Sequence, residues 1–244
     1  MRFLLPLFLL YASLFGAHIH IAAASNLGYA MQALKRAFSA RHNDIDVTVT
    51  FSSSGKLSAQ ILRGAPYGLF LSADTAYAQK LYDARRACGE PIVYTRGKLV
   101  LFSTQPRDFS KKMRLLLAPS VKRIAVANPK TAPYGKAAFE AMRNGGILPK
   151  VRSKLIYGES LSQCVTYALK AADIGFISKS SLYGESMRRF KSGVNYIDID
   201  ERLYSPIAQA MVLLRNDAPY RKFYDFMLSS QAQTILSHYG YAHR

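Results

Sequence analysis

One arrangement recurs along this chain: a short apolar run meets a few small or hydroxyl residues and turns at once into a helical pattern. Ile19-His20-Ile21-Ala22-Ala23-Ala24 delivers Ser25-Asn26 to a helix starting near Leu27. Val47-Thr48-Val49-Thr50-Phe51 delivers Ser52-Ser53-Ser54-Gly55 to one starting near Lys56. Shorter versions stand at Ala132-Pro133-Tyr134-Gly135, Gly158-Glu159-Ser160-Leu161 and Phe176-Ile177-Ser178. Strands that alternate with helices in this way form βαβ units around mostly parallel sheets, which places the chain in the α/β class. Ligands of such sheets bind beyond the carboxyl ends of the strands, where these junctions fall. The first turn of each helix leaves N–H groups without partners and carries a partial positive charge. Several such termini with serine hydroxyls beside them suit an anion held by many neutral donors.

Apolar periodicity predicts helices over 27–41, 72–86, 133–143, 160–171, 219–228 and 231–239. In the first of these Leu27, Ala30, Met31, Leu34 and Phe38 share a face. Strand-like runs lie between them at 47–51, 68–71, 99–102, 124–127, 155–157, 174–177, 194–197 and 210–214. The stretch from Tyr94 to Phe102 would carry the chain from a first unit into a second, and 197–214, broken by Ser205-Pro206, would bring it back. Two crossings make two lobes joined by a hinge. The expected division is 18–96 plus 199–244 for the first lobe and 97–198 for the second.

The amino terminus reads as a signal peptide over 1–17. Met1-Arg2 is a minimal positive start, residues 3–15 are almost wholly apolar, and Gly16-Ala17 supplies small residues for cleavage. The apolar run falls short of the roughly 20 residues that a membrane-spanning helix needs. A soluble mature protein beginning near His18, outside the cytoplasm and not inserted in the membrane, is the expectation.

The formal net charge of +18 is large. It is spread in pairs such as Lys35-Arg36, Arg85-Arg86, Lys122-Arg123 and Arg188-Arg189, with no dense basic block or RNA-binding motif. Solvated faces explain it better than nucleic-acid binding, and the field can speed the approach of a small anion. Two cysteines, Cys88 and Cys164, have neither metal nor redox spacing; export would permit a disulfide, but two free thiols are expected. The five histidines show no metal spacing. An enzymatic rival rests on Ser53-Ser54-Gly55-Lys56, a formal S-x-x-K, with Lys191-Ser192-Gly193 as a K-T-G-like element. The S-x-N element that penicillin-interacting serine hydrolases also need is absent.

At these same junctions the chain resembles the periplasmic molybdate-binding proteins of ABC transporters. The resemblance is carried by Ala22-Ala23-Ala24-Ser25 with Ala30-Met31, by Phe51-Ser52-Ser53-Ser54-Gly55-Lys56-Leu57, and by Gly64-Ala65-Pro66 with Leu69-Phe70-Leu71-Ser72-Ala73-Asp74. It continues through Asn128-Pro129, Ala132-Pro133-Tyr134-Gly135, Gly158-Glu159-Ser160 and Ala172-Asp173-Ile174-Gly175-Phe176 to Phe223-Tyr224-Asp225-Phe226-Met227. It implies a type II periplasmic binding protein architecture, a monomer that captures molybdate or tungstate between its lobes and hands it to a membrane permease, with no cofactor and no catalysis. Carried over residue by residue, Ser25 and Ser54 would offer hydroxyl and N–H groups, with Ser53 the alternative to Ser54. Tyr134 and Leu161 would act through their backbone N–H groups. Ser178 stands where some relatives place a tyrosine hydroxyl.

Neutral donors can hold a dianion if enough dipoles converge on it. Phosphate near neutral pH keeps a proton that wants an acceptor, whereas molybdate, tungstate and sulfate do not, and Glu159 is the one acid within these loops. Sulfate or another tetrahedral oxyanion is the alternative ligand. No lysine or arginine is expected to touch the anion.

Overall fold

A computed structural model describes residues 16–243; the predicted signal segment lies almost wholly outside the described residues. Two five-stranded sheets organise the chain. The first contains β1 (Ala17–Ala24), β2 (Ile45–Ser52), β3 (Leu69–Leu71), β4 (Ile92–Gly97) and β10 (Ile207–Leu213), in the order β2-β1-β3-β10-β4. The second contains β5 (Leu99–Phe102), β6 (Ile124–Ala127), β7 (Leu155–Gly158), β8 (Ile174–Ser178) and β9 (Tyr196–Asp198), in the order β7-β6-β8-β5-β9. Helices α1 (Gly28–Ser39), α2 (Ser54–Leu62), α3 (Thr75–Asp83), α7 (Ala218–Leu228) and α8 (Ser230–His238) accompany the first sheet. The second is accompanied by α4 (Pro133–Asn144), α5 (Leu148–Val151) and α6 (Leu161–Lys170).

The strands are apolar on both faces because both faces are covered. Ile19, Ile21 and Ala23 pack with Leu34, Phe38, Phe223 and Met227, while Ala22 between them packs with Leu57, Ile61, Phe70 and Leu81. Leu99 and Leu101 likewise meet α4, and Val100 and Phe102 share a core with Cys164, Val165 and Ala168 of α6. Near-continuous apolar runs are what a doubly covered sheet requires.

The sheets are mixed rather than mostly parallel. β1 pairs in parallel with β2 and β3, and β6 with β7 and β8. β10 runs antiparallel to β3 and β4, and β5 antiparallel to β8 and β9. The reason is the double crossing. β5 enters the second sheet directly from β4 through Lys98, and β10 enters the first from the other lobe, so each joins its sheet against the direction of the βαβ strands. The stretch read as one run from Tyr94 to Phe102 is therefore two strands in two sheets. Both cysteines are free thiols: Cys88 is exposed, and Cys164 is buried, which pushes its thiol pKa up.

Candidate functional site

Four of the predicted junctions meet at one point between the sheets. A small cavity of about 10 Å³ is lined by Ser25, Asn26, Ser53, Ser54, Tyr134 and Leu161 among others, and every lining residue is uncharged. It is smaller than the roughly 300–1,000 Å³ typical of organic-ligand pockets. A larger hollow of about 660 Å³ lies elsewhere on the second lobe, between Phe109–Arg114 and Ile197–Leu203; its lining is mainly apolar and holds none of the predicted residues.

Each wall of the small cavity is the start of a helical segment. Ser25 opens a single 3₁₀ turn, Ser25–Leu27, leading into α1. Ser54 is the first residue of α2, so its N–H has no partner within the helix. In α4 the first position is Pro133, which has no N–H, so Tyr134 supplies the first free donor. Leu161 opens α6 behind Ser160, whose hydroxyl caps the helix by accepting from Gln163 N–H at 3.3 Å. Dipoles of α2, α4 and α6 thus point their positive ends at one small space.

The hydroxyls are equally suited to donation. Ser54 Oγ accepts from Ala73 N–H at 2.9 Å, which leaves its own proton to give. Ser53 Oγ is buried without a hydrogen-bond partner among the described residues, an uncommon condition for a native hydroxyl. Burial holds the Tyr134 phenol well above its ordinary pKa, so that side chain stays neutral.

Ser178 lies apart from this group. It is fully buried but does not line the cavity. Its hydroxyl lies 2.8 Å from Ser180 Oγ and 2.7 Å from Ser181 Oγ, and it caps the turn Lys179–Tyr183 by accepting from Ser181 N–H. Ser180 Oγ in turn donates to the Asn26 carbonyl at 3.0 Å, so this turn braces the residue next to Ser25.

The lobes are closed over the cavity, and Ser25, Ser54, Tyr134 and Leu161 are each at most 5% exposed. Gly55 N–H donates across the cleft to the Thr131 carbonyl at 2.9 Å, and Tyr77 OH to the Lys130 carbonyl at 2.8 Å. At the rim Lys56 Nζ meets Glu159 Oε2 at 2.7 Å. That contact uses the one acid in these loops and the lysine of the S-x-x-K pattern. Both partners are about half exposed, and exposed pairs contribute roughly 0–1 kcal/mol. Glu159→Gln should therefore weaken ligand binding by less than about fivefold, an effect shrinking as salt is added. A larger loss in calorimetric titration would show that the pair is part of the ligand shell.

A family model described as bacterial extracellular solute-binding protein matches residues 19–242. The chain belongs to the bacterial extracellular solute-binding proteins. Among its relatives, the molybdate-binding protein ModA of Rhodobacter capsulatus is 36% identical over 200 residues, covering 80% of this solute-binding protein and 77% of the relative. The molybdate-binding protein ModA of Azotobacter vinelandii is 30% identical over 230 residues, 92% of this chain and 90% of that one. The solved structure of the Azotobacter vinelandii periplasmic molybdate-binding protein superposes with a TM-score of 0.84 at 27% identity, covering 93% of this chain and 99% of that one. These relatives are binding proteins. Among the described residues of this solute-binding protein, no helix is long and apolar enough to cross a membrane, and no cluster of His, Cys, Asp and Glu could hold a cation.

Proposed function

We propose that this solute-binding protein captures molybdate, and tungstate with it, as a periplasmic monomer free of the membrane after loss of residues 1–17, and presents the closed form to an ABC permease. The observation that carries this reading is the cavity itself: hydroxyls and first-turn N–H groups from both lobes converge there, and no charged side chain lines it. Ser25, Ser54, Tyr134 and Leu161 hold the anion, with Ser53 an added hydroxyl, while Ser178 acts through the turn that braces Asn26. Fixed dipoles replace the water shell of a dianion without a countercharge. With Glu159 committed to Lys56, no carboxylate lines the cavity to accept the proton of hydrogen phosphate. No catalytic step and no cofactor enters the account, and nucleic acid is not a partner.

Isothermal titration with molybdate, tungstate, sulfate and phosphate tests it. Molybdate and tungstate should bind one to one, sulfate at least about tenfold more weakly, and phosphate not measurably. Between roughly pH 6.5 and 9 the molybdate affinity should change less than about twofold, because no donor titrates there and burial keeps Tyr134 neutral. Preferred binding of phosphate or sulfate, or a steep pH dependence, would overturn the reading.

A further inference from the structure

We infer that Gln209 is a positioning residue for anion capture: from the hinge it fixes Tyr134, and with it the leading N–H of α4, against the anion loop of the first lobe. The inference rests on the oxyanion-binding reading above. Gln209 is a fully buried amide in an otherwise apolar strand, β10, one of the two strands that connect the lobes. The pairing of β10 with β4 shifts register between Gln209 and Ala210, a bulge of the kind that re-aims a side chain.

The amide faces three separate parts of the molecule. Its Oε1 accepts from Asn26 Nδ2 at 2.9 Å and from Tyr94 OH at 3.1 Å. Its Nε2 donates to Tyr134 OH at 3.2 Å. Asn26 directly follows Ser25 and is held again by Tyr241, whose OH donates to the Asn26 carbonyl at 2.8 Å and accepts from Asn26 Nδ2 at 3.0 Å. Tyr94 belongs to β4, the other connecting strand. One side chain therefore joins the anion loop of the first lobe, the hinge and the anion loop of the second.

Space for this contact is made by Gly97. A Cβ there would lie 2.1 Å from Tyr134 OH and 2.8 Å from Gln209 Nε2, so any other residue would push the two apart. Few side chains could replace the amide. A carboxylate lacks the donor for Tyr134, and an apolar residue leaves Asn26 Nδ2 and two buried phenols without this partner. The backbone N–H of Tyr134 faces the anion and its phenol reports to the hinge, so closing the lobes and completing the donor shell are one event.

The test uses Tyr134→Phe, Gln209→Leu and the double variant, read by calorimetric titration with molybdate and by small-angle scattering with and without it. Tyr134→Phe keeps the backbone donor and the hinge strands, and so carries the test even if Gln209→Leu folds poorly. Each single variant should weaken molybdate binding about five- to tenfold, with a larger ligand-free radius of gyration than the parent. The double variant should be no weaker than the worse single one, because both lose the same contact. Parent-like affinity and radius for Tyr134→Phe, or losses that multiply in the double variant, would overturn the inference. If the parent binds no oxyanion, the functional reading fails. The positioning claim is then judged by the ligand-free radius alone, where an increase in Tyr134→Phe supports it and no change overturns it.

Discussion

Ser54→Ala should lose roughly tenfold to a hundredfold in molybdate affinity, and Ser25→Ala a similar amount, while both remain folded. A hydrogen bond to a charged partner is worth about 1.5–3 kcal/mol, which sets that range. The two variants should differ in the ligand-free protein. Ser54 Oγ accepts from the buried Ala73 N–H, so its removal leaves that donor unpaired and should lower stability by about 1–3 kcal/mol. Among the described residues Ser25 Oγ has no such backbone partner, unlike Ser54 Oγ, and Ser25→Ala should melt close to the parent. Titration calorimetry and thermal melting separate these effects. Parent-like binding by both variants would place the anion elsewhere.

Gly55→Val should be the most damaging change that touches neither hydroxyl. A Cβ at Gly55 would lie 2.8 Å from Tyr77 OH and 3.0 Å from Thr131 Cα, and Thr131 belongs to the opposite lobe. Valine adds two methyl groups beyond that atom, at the point where Gly55 N–H bonds the Thr131 carbonyl. Overpacking of this kind costs about 1–3 kcal/mol; the part against Thr131 falls on the closed arrangement and is relieved when the lobes part, while the Tyr77 ring, a neighbour in the same lobe, must turn aside in either state. The expected result is a fold and melting temperature near the parent's, molybdate binding weaker by about fivefold to a hundredfold, and little or no contraction in scattering when ligand is added. Normal binding with normal contraction would mean that closure does not require the approach of Gly55 to Thr131.

The chain announced its architecture through short-range patterns, and these survive folding because each reflects a local cause. Alternating apolar strands and amphipathic helices mark doubly covered sheets, so β1, β2, β6 and β8 and helices α1, α4 and α6 stand close to their predicted positions. The junctions at Ser25, Ser54, Tyr134 and Leu161 were legible because helix starts favour small, hydroxyl or proline residues, and the choice of these four as donors is what the family resemblance implied. Strand direction was not legible. The antiparallel insertion of β5 and β10 depends on which lobe the chain comes from, and no window of residues encodes that. Ser178 is the junction that lies outside the cavity. Its junction resembles the others, yet its hydroxyl is engaged by Ser180 and Ser181, two residues whose side-chain directions no local pattern fixes. Gln209 left a faint signal, a lone amide inside Ile207-Ala208-Gln209-Ala210-Met211-Val212. Its partners Asn26, Tyr94 and Tyr134 are 75 or more residues away and could not be read from the chain.

The central claim is that a tetrahedral oxyanion sits between the lobes on neutral donors alone. Anomalous diffraction at the molybdenum edge, from crystals grown with molybdate, tests it most directly. A single peak should stand within the cavity of Ser25, Ser54, Tyr134 and Leu161, with its oxygens within hydrogen-bond reach of the two serine hydroxyls and the two backbone N–H groups. A peak outside that cavity, or a lysine or arginine nitrogen bonded to the anion, would contradict the account.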